Sequence, residues 1–93
     1  MAKRKDNKRQ AEFRCSILDC LKPRLQDYTD YVNVRVDFKD KDHFHVHIIE
    51  DYQCHLHVRG EFDEDYVNIT SVTNHSVSKD LFDETMDFFS NYF

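Results

Sequence analysis

Between residues 31 and 73 the chain alternates polar and apolar side chains with few breaks, and this period of two constrains the fold more than any other feature. Successive side chains of a β-strand point to opposite faces, so such alternation predicts strands buried on one side. Tyr31–Phe38 places Val32, Val34, Val36 and Phe38 on one face, with Tyr31, Asn33, Arg35 and Asp37 on the other. His43–Ile49 turns Phe44, Val46 and Ile48 inward, and Tyr52–Arg59 turns Cys54, Leu56 and Val58 inward. Tyr66–Thr73 follows, with Val67 and Ile69 inward and Tyr66, Asn68 and Thr70 outward. The links are a turn at Lys39–Asp42, a turn at Glu50-Asp51, and an acidic loop from Gly60 to Asp65. Links this short join antiparallel neighbours, which predicts a 1-2-3-4 meander.

Helical periodicity brackets the strands. Phe13, Ile17, Leu18, Leu21, Leu25 and Tyr28 recur at spacings of three and four, predicting a helix over residues 8–29. Pro23 interrupts it by a kink, or by ending one helix near Leu21 and restarting another. A last helix is expected from Ser78 to Tyr92, with Ser78 as N-cap and Asp80 in the first turn. Its apolar face takes in Leu81, Phe82, Met86, Phe89 and Phe93, widened by Phe88 and Tyr92. A face that wide points to a homodimer through the C-terminal helix. The expected fold is α+β: a two-layer α-β-β-β-β-α domain with both helices on one face of a four-stranded sheet. Residues 1–9 read as a flexible basic arm and residues 10–93 as the single domain.

The outward face carries the chemistry. Five of the six histidines lie at His43, His45, His47, His55 and His57, all with outward parity. Histidine changes charge near neutral pH and is a common metal ligand. With Phe38 and Phe44 both inward, Asp37 faces His45 and Arg35 faces His47. In the second hairpin the expected registers set His45 against His57 and His47 against His55, or His45 against His55 and His43 against His57. Either choice gathers at least four imidazoles, with neighbouring Cβ atoms roughly 5 Å apart.

Composition narrows the classes of function. The 93 residues include one glycine, Gly60, and one proline. A phosphate-cradling loop or dinucleotide fingerprint needs several glycines, so the common nucleotide-binding motifs are excluded. Cys15, Cys20 and Cys54 are an odd set without metal-type spacing, expected as free and mostly buried thiols. No apolar run approaches the ~20 residues of a membrane span, and no leader follows the charged start, so a cytoplasmic protein is expected. Cys54 and His55 are adjacent on a strand and point to opposite faces, so they cannot pair as nucleophile and base. The element order is similar to that of double-stranded-RNA-binding domains, α-β-β-β-α. Here a fourth strand intervenes, and Ser78-Lys79-Asp80 opens an acidic helix where that family carries a basic cluster, so no family is assigned.

Charge is divided along the chain. The net is −5, yet the first 14 residues carry six bases against two acids. Residues 61–93 carry Lys79 alone against Glu61, Asp63, Glu64, Asp65, Asp80, Asp83, Glu84 and Asp87. The expected function is therefore a non-enzymatic binding or inhibitor protein. Small acidic domains of this type occur among phage and mobile-element products that block host nucleic-acid-handling or defence proteins. Its contact residues would be those acids together with Tyr31, Arg35, His43, His45, His47, His55, His57, Arg59 and Tyr66. The alternative is a nucleic-acid-binding module using Lys3, Arg4, Lys5, Lys8 and Arg9 with the exposed sheet face. A second alternative is a metal site, with His45, His47, His55 and His57 holding zinc or copper. The plainest reading of the same residues is a solvated polar sheet face.

Overall fold

A computed structural model describes residues 6–92, with the side chain of Tyr92 and all of Phe93 outside the described set. The elements are α1 (Lys8–Ser16), a π-helical turn (Ile17–Leu21), α2 (Lys22–Gln26), β1 (Val32–Phe38), β2 (His43–Glu50), β3 (Cys54–Asp63), β4 (Tyr66–His75) and α3 (Lys79–Tyr92). The strands form one antiparallel sheet in the order β1-β2-β3-β4, as the alternation predicts. No helix among the described residues is long and apolar enough to cross a membrane.

Helical backbone runs from Lys8 to Gln26, with a π-helical turn ending at Leu21 just before Pro23. A proline removes one N–H and its ring crowds the carbonyl four residues back. The chain accommodates this by widening the turn before it: the Lys22 N–H donates to the Ile17 carbonyl, five residues back. Such single wide turns are the usual form of π-helix inside α-helices. The helix then resumes with Pro23 in the first turn of α2, where its missing N–H matters least. At the other end, Asn7 and Gln10 form a capping box. The Gln10 N–H donates to Asn7 Oδ1 at 2.8 Å, and the Asn7 N–H donates to Gln10 Oε1 at 2.9 Å. Gln10 is itself buried, and its Nε2 donates to the Asp40 carbonyl in the β1–β2 turn.

The inward side chains form one core. Phe13, Ile17, Leu21 and Leu25 from the N-terminal helices meet Val34, Val36, Phe44, Val46, Ile48, Leu56 and Val58 from the sheet, and Leu81, Phe88 and Phe89 from α3. Gly60 sits directly opposite Phe44. A Cβ on Gly60 would run into the Phe44 ring and the Asn68 carbonyl, so glycine is required by close packing. Ser78 caps α3 through its hydroxyl, and Glu50 holds the cap by accepting from the Ser78 N–H at 2.7 Å and Oγ at 2.9 Å.

Two expectations are corrected. The segment from Gly60 to Asp63 is strand, not loop: Gly60 and Phe62 are buried and β3 runs to Asp63. The second turn is Asp51–Gln53, three residues between the paired Glu50 and Cys54, with Asp51 and Tyr52 both at positive φ. Tyr52 is therefore at the turn, 80% exposed, and β3 starts at Cys54. On α3, Leu81, Phe88 and Phe89 are buried within the chain, Phe82 and Met86 are half-buried, and no exposed large apolar side chain of the described residues lies on that helix. The exposed ones are Tyr28, Tyr31, Tyr52 and Tyr66, with Ile69 and Val72 on β4.

Candidate functional site: the uncovered histidine face

Both helical layers pack on one side of the sheet, so among the described residues no helix covers the outward face of the strands. Across the sheet its residues form rows. Asp37 pairs with His45, which pairs with Arg59, which pairs with Ser71. Arg35, His47, His57 and Thr73 form the next row, and Asn33, Ile49, His55 and His75 the one after. The first-hairpin register is the expected one. The second is not: His57 faces His47, and Arg59 faces His45, because the turn extends through Gln53.

The imidazoles nonetheless meet in pairs, along the diagonals. His45 Nε2 and His57 Nδ1 lie 2.7 Å apart, and His47 Nε2 and His55 Nδ1 lie 2.8 Å apart. Each pair shares one hydrogen bond, so one nitrogen must donate and the other must accept with a free lone pair. Two protonated rings would set N–H against N–H. The rings also stack, His47 on His57 with centroids 4.2 Å apart and His45 on His57 at 4.9 Å.

Packing of this kind disfavours charge. Burial, then His47, His45, Arg59 and His75, push His57 from 6.5 down to about 4. Burial and Arg59 lower His45, and burial with His55 and His45 lowers His47, against a smaller opposing pull from Asp37. These three rings are neutral at neutral pH. The centre of the face is therefore uncharged, while Arg35, Asp37, Arg59 and Glu61 surround it.

His75 belongs to this cluster and was missed in the alternation. Its ring lies 6.0 Å from His57 in an edge-to-face arrangement. The cause is a β-bulge: Gly60 pairs with Ile69 and Arg59 with Ser71, leaving Thr70 without a partner residue. Everything after Thr70 changes face, so Ser71, Thr73 and His75 turn outward and Val72 turns toward the helices. The sequence holds a signal for this. Val67 and Ile69 are two apart, but Ile69 and Val72 are three apart, with Thr70-Ser71 breaking the alternation.

His43 stands apart from the cluster. Its Nδ1 lies 2.8 Å from Asp40 Oδ1 and its Nε2 lies 3.6 Å from Glu61 Oε2. The His43 side chain and the Asp42 N–H hold the Asp40 carboxyl below its ordinary range. Tyr66 lies opposite Asp63 beside the β3–β4 turn, beyond Glu61. Tyr31 lies instead at the other end of the face, where its ring is 6.1 Å from that of Tyr52. These two tyrosines, with Asp30, Val32, Asn33, Ile49 and His55, line a groove of about 390 Å³ beside the imidazole cluster.

The expected acids are distributed among three places. Glu61 is on the histidine face, Asp63–Asp65 lie at the end of β3 and its turn, and Asp80, Asp83, Glu84 and Asp87 lie on α3. Glu84 approaches Arg24 at 3.9 Å and Asp83 approaches Lys79 at 3.9 Å. Glu84, together with burial and Asp80, raises the Tyr28 phenol above its ordinary value. Of the bases proposed for nucleic acid, Lys3, Arg4 and Lys5 lie outside the described residues. Lys8 opens α1 and is exposed. Arg9 is occupied: it donates to the carbonyls of Asp63 and Tyr66 and lies 4.9 Å over the Phe62 ring. Cys15, Cys20 and Cys54 form no disulfide, as expected, but they are not buried as expected: Cys15 is exposed and the other two are half-buried.

Compared with protein-family models, with curated proteins and with solved structures, the chain matches none.

Proposed function

We propose that this protein is a non-enzymatic binding module whose working surface is the uncovered sheet face, and that its partner is a protein. The observation that carries this reading is the charge pattern of the face. Protein interfaces have centres depleted of charge and enriched in aromatic side chains and arginine, within a polar rim. Here stacked rings of His45, His47 and His57, lowered in basicity, occupy the centre, and Arg35, Asp37, Arg59 and Glu61 form the rim. A face serving only to be solvated gains nothing from histidines whose neutral state is enforced at some expense of acid stability. The Tyr31–Tyr52 groove beside His55 offers a cup of the kind that receives an anchoring side chain. The partner class expected from the sequence, a nucleic-acid-handling or defence protein, is what the experiment below would name.

The test compares two surfaces. Immobilised protein is exposed to lysate after nuclease treatment, as wild type, as His47→Asp with Arg35→Glu, and as Lys79→Glu on α3. A protein retained by wild type and Lys79→Glu but lost by the face variant supports the reading. Retention that the face variant leaves intact contradicts it, as does retention of nucleic acid alone before nuclease.

A further inference from the structure

We propose that His47, His55 and His57 form a binding site for a borderline divalent transition-metal ion, zinc being the test case. The proposal goes beyond the binding surface just described and does not require a partner. One ring nitrogen from each of the three residues lies within 4.8 Å of the others, and all three rings are half-buried. His47 Nε2 and His55 Nδ1 already face one another at 2.8 Å. One of the two is necessarily an unprotonated acceptor, so a lone pair points into the gap an ion would enter. Tetrahedral zinc with Zn–N bonds of 2.0–2.1 Å sets its ligand nitrogens about 3.3 Å apart. The pair must therefore open by about half an ångström, and the bridging proton moves to the outer nitrogen of its own ring, which stays neutral.

His57 is the third ligand. Its ring stacks on His47 with planes 18° apart, so it must turn about its side-chain bonds to aim a lone pair at the ion. Its Nδ1 is engaged by His45 Nε2 at 2.7 Å, which leaves Nε2 for the ion. His45 is then a positioning residue, because a ligating histidine is normally oriented through its other nitrogen. Two features of the surroundings decide the class of ion. The site offers imidazole alone, which suits zinc, copper and nickel and not the oxygen-seeking calcium or magnesium. The cation opposite His47, Arg35, has Asp37 3.9 Å from its guanidinium, which offsets its repulsion of an incoming ion. The fourth position opens to solvent.

The test is calorimetric titration of the full chain, without added histidines, with zinc at pH 7.5. The expected result is one ion per chain. His47→Gln and His55→Gln should abolish uptake, His45→Gln should weaken it roughly tenfold, and His43→Gln should leave it unchanged. No saturable uptake, or uptake that survives both His47→Gln and His55→Gln, overturns the proposal. If a variant does not fold, the wild-type ¹⁵N imidazole spectrum decides. Zinc-induced shifts centred on His47, His55 and His57 support the site, while no shift, or shifts centred on His43, overturn it. Zinc uptake without partner capture would sink the binding-module reading and leave this one standing, and the reverse outcome would do the opposite.

Discussion

Acidification from pH 7.5 to 4.5 should destabilise the fold, and His57 should account for a separable part of the loss. The folded state holds His57 at about 4 against an ordinary value of 6.5. A group depressed in this way binds its proton more readily in the unfolded chain. Its contribution is therefore complete above pH 6.5 and is lost progressively as pH falls toward 4. For a wholly unscreened group, linkage gives a loss of about 2.6 kcal/mol at pH 4.5. The His57 ring is half-buried on an open face, and screening by solvent leaves about 1–1.5 kcal/mol of this. At about 4–8 °C per kcal/mol for a domain of this size, the melting temperature should fall by about 5–10 °C from this group alone. His45 and His47 are lowered in the same direction and steepen the fall. The assay is thermal unfolding followed by circular dichroism at half-unit pH steps, for wild type and His57→Gln. Glutamine does not titrate, so the variant should show a shallower slope between pH 7 and 5, where carboxylates contribute little. Parallel slopes for the two proteins over that interval would refute the argument that the cluster holds His57 neutral.

Three further outcomes follow from packing and capping. Gly60→Ala should destabilise by about 3 kcal/mol or more, because its methyl group meets the Phe44 ring and a backbone carbonyl that cannot retreat; a urea midpoint within error of wild type would contradict this. Asn7→Ala removes the cap of α1 and should cost about 1 kcal/mol by the same measurement. Glu50→Ala releases the Ser78 cap and should fray the first turn of α3, read as faster amide hydrogen exchange at Phe82, whose N–H donates to the Ser78 carbonyl.

The sheet was legible because each of its first three strands has one buried face. Val34, Val36, Phe44, Val46, Ile48, Leu56 and Val58 are inward as the alternation predicts, and all are buried. The first hairpin register was also legible, since the Lys39–Asp42 turn length follows from the inward parity of Phe38 and Phe44. The second hairpin was not. Asp51 and Tyr52 occupy positive φ without a glycine to announce it, and two registers of equal parity differ only in where the turn sits. The imidazole pairs His45–His57 and His47–His55 do form, yet they arise as diagonals and not as directly opposed residues. His75 was hidden by the bulge at Thr70, whose trace in the sequence is one misplaced polar residue. The depressed basicity of the cluster could not be read from spacing, because it depends on rings burying one another. Arg9 misled in the other direction: among other bases it resembles part of a phosphate-binding arm, but its guanidinium is spent on two carbonyls and a phenyl ring.

The central claim is that a face rich in histidine has an uncharged, mutually hydrogen-bonded centre at neutral pH. Long-range ¹H–¹⁵N correlation of the imidazoles, followed from pH 8 to 4, tests it most directly. His57 should remain neutral through pH 6, with Nδ1 in the hydrogen bond to His45, and should titrate near 4. Titration of His57 near its ordinary 6.5 would mean a charged centre in mild acid, and the interface reading would lose the observation it stands on.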